Sequence, residues 1–323
     1  MSGTLTSIAG GTALAAPNAD AEALVAAFLR GRSPRTISAY SCDLEAFRVH
    51  VGAASVAQAL GGLLSAPQGH ANRVALGFRD TMSEAGLAPA TINRRLAAIR
   101  SATKLGRLLG YSGNVIEVPG LRAEAYRDTR GPSVGALQVM LDVARKGADR
   151  SERDRMRALR DVAGLRLSFD LALRRAELVG LRLADIDGDR LWILRKGKRQ
   201  RIAKTLPAAT LRALRDWLDA RSGLDLAHDV VFVSLSNRAL GAPLTADGWH
   251  DVVTALGAKV GLRVHPHAIR HASITAAAVA TRGNMVEVQE HSGHANIATA
   301  RRYVAAAADT AGRVAEMVSG GLR

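Results

Sequence analysis

Arg190-Leu191-Trp192-Ile193-Leu194, then Lys196-Gly197-Lys198-Arg199, then Arg201-Ile202-Ala203-Lys204-Thr205-Leu206: this run breaks the rhythm of the chain on either side of it. Its outer pieces are short and mix apolar with polar residues, so they read as two strands flanking a turn of high positive charge, with Pro207 closing the second strand. The surrounding apolar residues recur instead at three- and four-residue steps, the spacing of a buried helix face. Upstream, helix is expected from Val134 to Ala144 and from Arg155 to about Leu183. Downstream, it is expected at about Thr210 to Arg221, Thr245 to Val260, His267 to Thr281, Met285 to Glu290 and Ile297 to Val318. One small sheet among many helices defines the expected fold class: mainly α, with a β-hairpin in the C-terminal domain.

Further toward the N-terminus the chain reads as a second, helical region. Ser33-Pro34 offers an N-cap followed by proline in the first turn, and Ile37, Tyr40, Leu44, Phe47 and Val51 continue one apolar face. The first structured segment is therefore expected to open at Ser33. Another helix is expected from Ala88-Pro89 to Leu109. Gly113, Pro119, Gly120, Gly131 and Pro132 then punctuate the chain as an interdomain linker does. The expected organisation is a flexible arm over 1–18, a helical domain over 19–115, a linker over 116–133 and a second domain with a tail helix over 134–323.

The 323 residues suit two domains, with a single cysteine, Cys42, that excludes a disulfide framework and any cysteine-rich zinc module. A reducing, cytoplasmic setting fits that usage. Lys and Arg number 44 against 29 Asp and Glu, a formal charge of +15 that favours a polyanionic partner. Apolar runs such as Ile274 to Ala280 fall far short of the roughly 20 residues of a membrane-spanning helix, and Arg30 is the first basic residue, so neither a membrane nor a secretory signal is expected. Between Gly86 and Ile116 there is no acidic residue, yet the stretch holds Arg94, Arg95, Arg100, Lys104 and Arg107. Helical spacing puts Arg100, Lys104 and Arg107 on one stripe. A solvated face is the plain alternative, but such faces usually interleave both signs, which points to phosphate contact.

Five of the nine histidines fall between His265 and His294. A metal site is disfavoured, because only Glu287 and Glu290 are near in sequence and the zinc-hydrolase spacing is missing. No metal and no cofactor are expected. His267 and Arg270, three apart on a helix, instead suit a phosphodiester: the guanidinium grips non-bridging oxygens while the imidazole moves a proton. A nucleophile is still required.

His267-x-x-Arg270-His271 resembles the His-x-x-Arg box of the tyrosine recombinases, the phage integrase family. Ser292-Gly293-His294, followed nine residues later by Tyr303, is similar to its Gly-His and nucleophilic tyrosine box. Ala172-Leu173-Arg174-Arg175-Ala176-Glu177-Leu178 resembles the first arginine box, with Leu171-Ala172 where the family usually has a small-Gly approach. The Lys196-Gly197-Lys198 turn is similar to the hairpin that carries the family's lysine. His291-Ser292 departs from the Leu-Leu that commonly precedes Gly-His.

The resemblance implies a two-domain clamp, a helical core-binding domain joined to an α+β catalytic domain. It also implies roles: Tyr303 as nucleophile, Arg174 and Arg270 as phosphate clamps, Lys196 (or Lys198) as acid for the leaving 5′ oxygen, His267 in proton transfer and His294 on the phosphate. Glu177 would orient a catalytic cation. Lys198 and Arg199 join the basic helix residues as expected DNA contacts, while Arg175 and Arg182 are better read as surface ion pairs. The implied partners are double-stranded recombination sites, a homo-tetramer formed through the tail, and accessory bending or directionality factors at the nucleoid. A type IB topoisomerase-like nicking-closing enzyme and a non-catalytic DNA-binding protein on the same scaffold remain as alternatives.

Overall fold

A computed structural model describes residues 19–122, 131–149, 151–195 and 200–293. The chain divides into two compact units, Met1–Ala125 and Tyr126–Arg323. The expected arm over 1–18 and the expected helix at Ile297 to Val318 lie outside the described residues.

The first unit contains α1 (Ala19–Leu29), α2 (Pro34–Val51), α3 (Val56–Ser65), α4 (Gln68–Glu84) and α5 (Pro89–Leu108). Helix α2 begins where the sequence places it, with the Ser33 hydroxyl accepting from the Thr36 N–H at 3.2 Å. Structure begins earlier than Ser33, however. Helix α1 has no Ser-Pro start signal, but it buries Ala21, Leu24 and Phe28, and that packing forms it. Phe47, Phe78, Leu63, Leu96 and Ile99 share a core. Ile116 and Val118, within the punctuated stretch after α5, are buried in the same core.

The second unit is built around α7 (Glu152–Asp170), which follows α6 (Val134–Lys146) and a short 3-10 turn at Gly147–Asp149. Ala158, Val162, Ala163, Leu165 and Leu167 bury most of the circumference of α7, as the central helix of a unit must. The Trp249 ring lies against Gly164, where a Cβ would collide with it. The expected single helix from Arg155 to Leu183 is broken. Ala172 takes a left-handed φ of 52°, and a separate short helix α8 (Arg175–Val179) starts beyond it. After a 3-10 turn at Leu183–Asp185 come β1 (Ile186–Asp187), β2 (Arg190–Leu194) and β3 (Arg201–Thr205), antiparallel in that order. Leu191 pairs with Lys204 and Ile193 with Ile202. Helices α9 (Ala208–Ser222), α10 (Ala246–Lys259), α11 (Pro266–Ala280) and α12 (Met285–Ser292) complete the described fold. Trp217, Trp249 and Phe232 are the largest fully buried side chains of the second unit.

Candidate active site

The break after α7 positions the first arginine. Because Ala172 turns the backbone away from helix, Arg174 becomes the N-cap of α8 instead of one more residue along α7. The Glu177 carboxylate closes that turn from both sides, accepting from the Arg174 backbone N–H at 2.9 Å and from its guanidinium at 2.8 Å. Glu177 is nearly buried and Arg174 one-third exposed, so the pair presents its positive end outward. Arg175 and Arg182 form surface ion pairs with Asp247 and Asp229.

Helix α11 supplies the second group. His265 is its N-cap, the ring Nδ1 accepting from the Ala268 N–H at 3.2 Å, and Pro266 follows in the first turn. This fixes the direction in which His267 and Arg270 leave the helix. Arg270 is buried and donates to the carbonyls of Ala172 and, at 2.6 Å, Ser292. It therefore joins the break after α7 to the end of α12. His267 is exposed at the rim, edge-on to His271 with 4.2 Å between ring centroids. Loss of solvent around its ring, then the positive charge of His271, Arg270, His265 and Arg174, lowers its pKa to about 4. At neutral pH that imidazole is uncharged, so its bare ring nitrogen can accept a hydrogen bond from a hydroxyl.

Two cations that the sequence analysis did not single out complete the cluster. Lys204 reaches inward from β3 and donates to the Leu171 carbonyl at 2.7 Å and the His291 carbonyl at 2.5 Å. Arg195, just beyond β2, lies over Gly293 and donates to the Glu290 carbonyl at 3.3 Å. Burial first, then the neighbouring Arg195 and Arg270, pushes the Lys204 pKa down to about 7, with Glu177 opposing. Strand alternation is the signal that would have found it: Ile202 and Lys204 share the inward face. His291, at the same helix end, lies 2.8 Å from the Ser273 hydroxyl through Nε2, so the polar departure at His291-Ser292 has a polar partner on α11.

Arg174, Arg175, His250, His265 and His267 line one open cavity of about 380 Å³. Among the described residues, the charges that act on Lys204 nearby are those of Arg174, Arg195 and Arg270 against the carboxylate of Glu177. Such a cluster favours an anion. Among the described residues no group of three His, Cys, Asp or Glu is placed to hold a metal ion. Lys196, Lys198, Arg199, His294 and Tyr303 lie outside the described residues.

In the first unit, the basic residues of α5 are not all alike. Arg94 is ion-paired at 3.0 Å with the buried Asp43 of α2, and Arg95 lies 3.9 Å from the same oxygen. The acidic partner missing within the helix thus comes from another helix. Arg100 donates to the Val118 carbonyl, whereas Lys104 and Arg107 are exposed.

Known proteins resemble this chain in sequence and in fold. Residues 139–310 match the model of the phage integrase family. The chain is 38 % identical over 292 residues to a tyrosine recombinase of Synechococcus elongatus, covering 88 % of this chain and 89 % of that one. It is 32 % identical to the tyrosine recombinase XerC of Chromobacterium violaceum, covering 85 % of each. Among solved structures, the XerH site-specific recombinase bound to its palindromic difH substrate superposes with a TM-score of 0.67 at 18 % identity, covering 93 % of this chain and 85 % of that one. The Tn1549 transposon integrase in complex with transposon right end DNA gives 0.66 at 18 % identity, covering 93 % and 98 %. The mainly helical fold with its small antiparallel sheet is the one these structures share. The similar proteins are named as recombinases and integrases, which favours that reading over the topoisomerase-like and non-catalytic alternatives. No helix among the described residues is long and apolar enough to cross a membrane.

Proposed function

From the premise that the chain belongs to the phage integrase family and is a tyrosine recombinase, an enzyme that cleaves and rejoins DNA, we propose that Tyr303 is its nucleophile and that Arg174, Lys196, His267, Arg270 and His294 are the groups that assist it. The observation that carries this reading is the joint presence of Arg174 and His267 on one cavity, with the buried Arg270 adding its positive charge at His267. A phosphodiester approaching this site meets the Arg174 guanidinium at the surface and the field of Arg270, Lys204 and Arg195 beneath. Those cations oppose the charge that builds on the non-bridging oxygens as phosphorus becomes five-coordinate.

The Tyr303 hydroxyl attacks phosphorus and forms a 3′-phosphotyrosyl bond, while the bond to the 5′ oxygen breaks. Uncharged His267 takes the phenol proton, and Lys196 gives a proton to the departing oxygen. His294 donates to a phosphate oxygen. A phenol with an ordinary pKa of about 10 needs such a base and such a field at neutral pH. A 5′ hydroxyl from the partner strand then attacks the phosphotyrosine and restores the phosphodiester. The phosphotyrosyl bond conserves the bond energy, so no ATP enters the balance.

The biological complex in this reading is a homo-tetramer on two double-stranded sites, exchanging strands through a Holliday junction, with tail exchange between subunits. Its setting is the cytoplasm, at the nucleoid, with accessory bending or directionality factors. The helical region over 19–115 is the core-binding domain, 116–133 the linker and 134–323 the catalytic domain. Lys104, Arg107, Lys198 and Arg199 reach phosphates directly in this scheme; Arg94, Arg95 and Arg100 do so only after leaving their present partners.

The test begins by selecting a binding site from random-sequence duplexes. A nicked duplex carrying that site, in which the short strand diffuses away after cleavage, is then incubated with the protein. A covalent adduct is expected with the wild type and none with Tyr303→Phe, which should still bind. An adduct that persists in Tyr303→Phe would refute the assignment of the nucleophile.

A further inference from the structure

The end of α12 is held in an uncommon way. Its last three carbonyls, those of Glu290, His291 and Ser292, each accept from a different cation: Arg195, Lys204 and Arg270. Carbonyls in a last helical turn have no partner within the helix, and cations there also oppose the helix dipole. Gly293 then ends the helix with a left-handed φ of 64°, under the Arg195 guanidinium. The next residue in sequence is His294, and Tyr303 follows nine residues further on.

Two of these cations also hold a second element. Arg270 bonds to Ala172 and Lys204 to Leu171, the two residues at which the backbone turns off α7 before presenting Arg174. Lys204 comes from neither element: it stands on β3, opposite Leu191 of β2, the strand that Arg195 directly follows. We propose that Lys204 is a positioning residue for DNA cleavage: by tying the Leu171 carbonyl to the His291 carbonyl it fixes the end of α12, where the chain departs for His294 and Tyr303, against the loop that delivers Arg174. The inference rests on the reading of Tyr303 as nucleophile.

An apolar residue would suit an inward position of β3 better on packing grounds alone. A lysine there loses solvent and sits among Arg174, Arg195 and Arg270, and this drives its pKa down to about 7. Unfavourable placement of that kind is characteristic of functional sites. The two bonds need only two N–H donors, which the amine supplies in either protonation state. A shift of either carbonyl relative to the other breaks at least one bond. A displacement of about 1 Å between an attacking group and its target can cost roughly 100-fold in rate, so a loosened tie should appear in the chemical step and not in DNA binding.

The experiment uses the full chain with Lys204→Met, the nicked duplex described above, and the same duplex with sulfur as the 5′ leaving atom. The variant is expected to bind within about twofold of wild type and to form the adduct at least about 10-fold more slowly on both duplexes. Sulfur leaves without a proton. Recovery on the sulfur duplex alone would make Lys204 the acid and overturn the positioning role. An unchanged rate on the oxygen duplex would also overturn it, as would a loss of binding as large as the loss of cleavage. Should Lys204→Met not fold, Lys204→Gln, which keeps two N–H donors on a shorter arm, is read against the same outcomes. Tyr303→Phe runs beside them: an adduct there refutes the nucleophile assignment, a failure distinct from any result at Lys204.

Discussion

The two units bury positive charge differently. In the first, Arg94 and Arg95 gather around Asp43, a carboxylate that is 1 % exposed, so the charges are largely balanced within the protein. Burial raises the Asp43 pKa while the two arginines pull it down. In the second unit, Lys204, Arg195 and Arg270 each donate to backbone carbonyls, and Glu177 is paired with Arg174. Carbonyl dipoles orient a cation without cancelling its charge. The first arrangement is a structural ion pair; the second keeps its field for an anion that arrives from outside.

The strongest way to break the comparison is Arg270→Ala. If Arg270 supplies charge to the reaction as well as holding Ala172 and Ser292, adduct formation should fall by about 10³-fold. Two buried carbonyls also lose a charged donor, so stability should drop by roughly 2–3 kcal/mol. Adduct kinetics and thermal melting measure the two effects separately. A large melting shift with little change in adduct rate would reduce Arg270 to a brace.

Converting the first arrangement into the second is the next test. Asp43→Asn removes the carboxylate and leaves Arg94 and Arg95 without their counter-charge. If these arginines then reach phosphate, duplex affinity should rise by roughly fivefold. The slope of log affinity against log salt should steepen by about two, one for each phosphate contacted. An unchanged slope would confine both arginines to the interior of the unit.

A smaller effect separates the arrangements by pH. Lys204 has a folded pKa of about 7, far below its unfolded value of 10.5. Between those values the unfolded chain binds more protons than the native one, so stability rises with pH from about 7 upward. Discounted for the solvent that still reaches the residue, about 1–2 kcal/mol should appear between pH 7 and 9, a gain of roughly 2–6 °C in melting temperature. Lys204→Met should remove this gain. His267 and His291 act in a lower window. Their pKa values of about 4 lie below the unfolded 6.5, so the stability they contribute is lost as pH falls from about 6.5 toward 4.

The helices and hairpin were legible because they rest on local rules. Ser33-Pro34, Thr245 and the β2–β3 pair act through capping and alternation, which a sequence displays directly. What stayed hidden was long-range. Asp43 and Arg94 are 51 positions apart by residue number, so the absence of acids within α5 gave no sign of the ion pair. Lys204 had a visible inward register, but its carbonyl partners belong to the α7 break and to α12, which only the tertiary fold brings together. The break itself was missed because Leu171-Ala172-Leu173 continues a helical pattern, with no glycine or proline to interrupt it.

That break yields the smallest predicted effect. Ala172 holds a left-handed φ of 52°, costing an L-residue roughly 1–2 kcal/mol relative to glycine. Ala172→Gly should relieve this. Against the relief stand a buried methyl, worth about 0.8 kcal/mol beside Ile274, Ala278 and Val288, and the extra freedom of glycine in the unfolded chain, about 0.5–1 kcal/mol. These contributions nearly cancel, so the melting temperature should move by no more than about 3 °C. The Ala172 carbonyl remains available to Arg270, so the adduct rate should stay close to wild type. Gly293 is the opposite case: it shares the left-handed geometry, but a Cβ there would collide with Arg195. Gly293→Ala should therefore slow adduct formation where Ala172→Gly does not. Equal effects from both substitutions would mean that the cations tolerate movement of the end of α12, and the distinction between balanced and field-bearing charge would lose its structural basis.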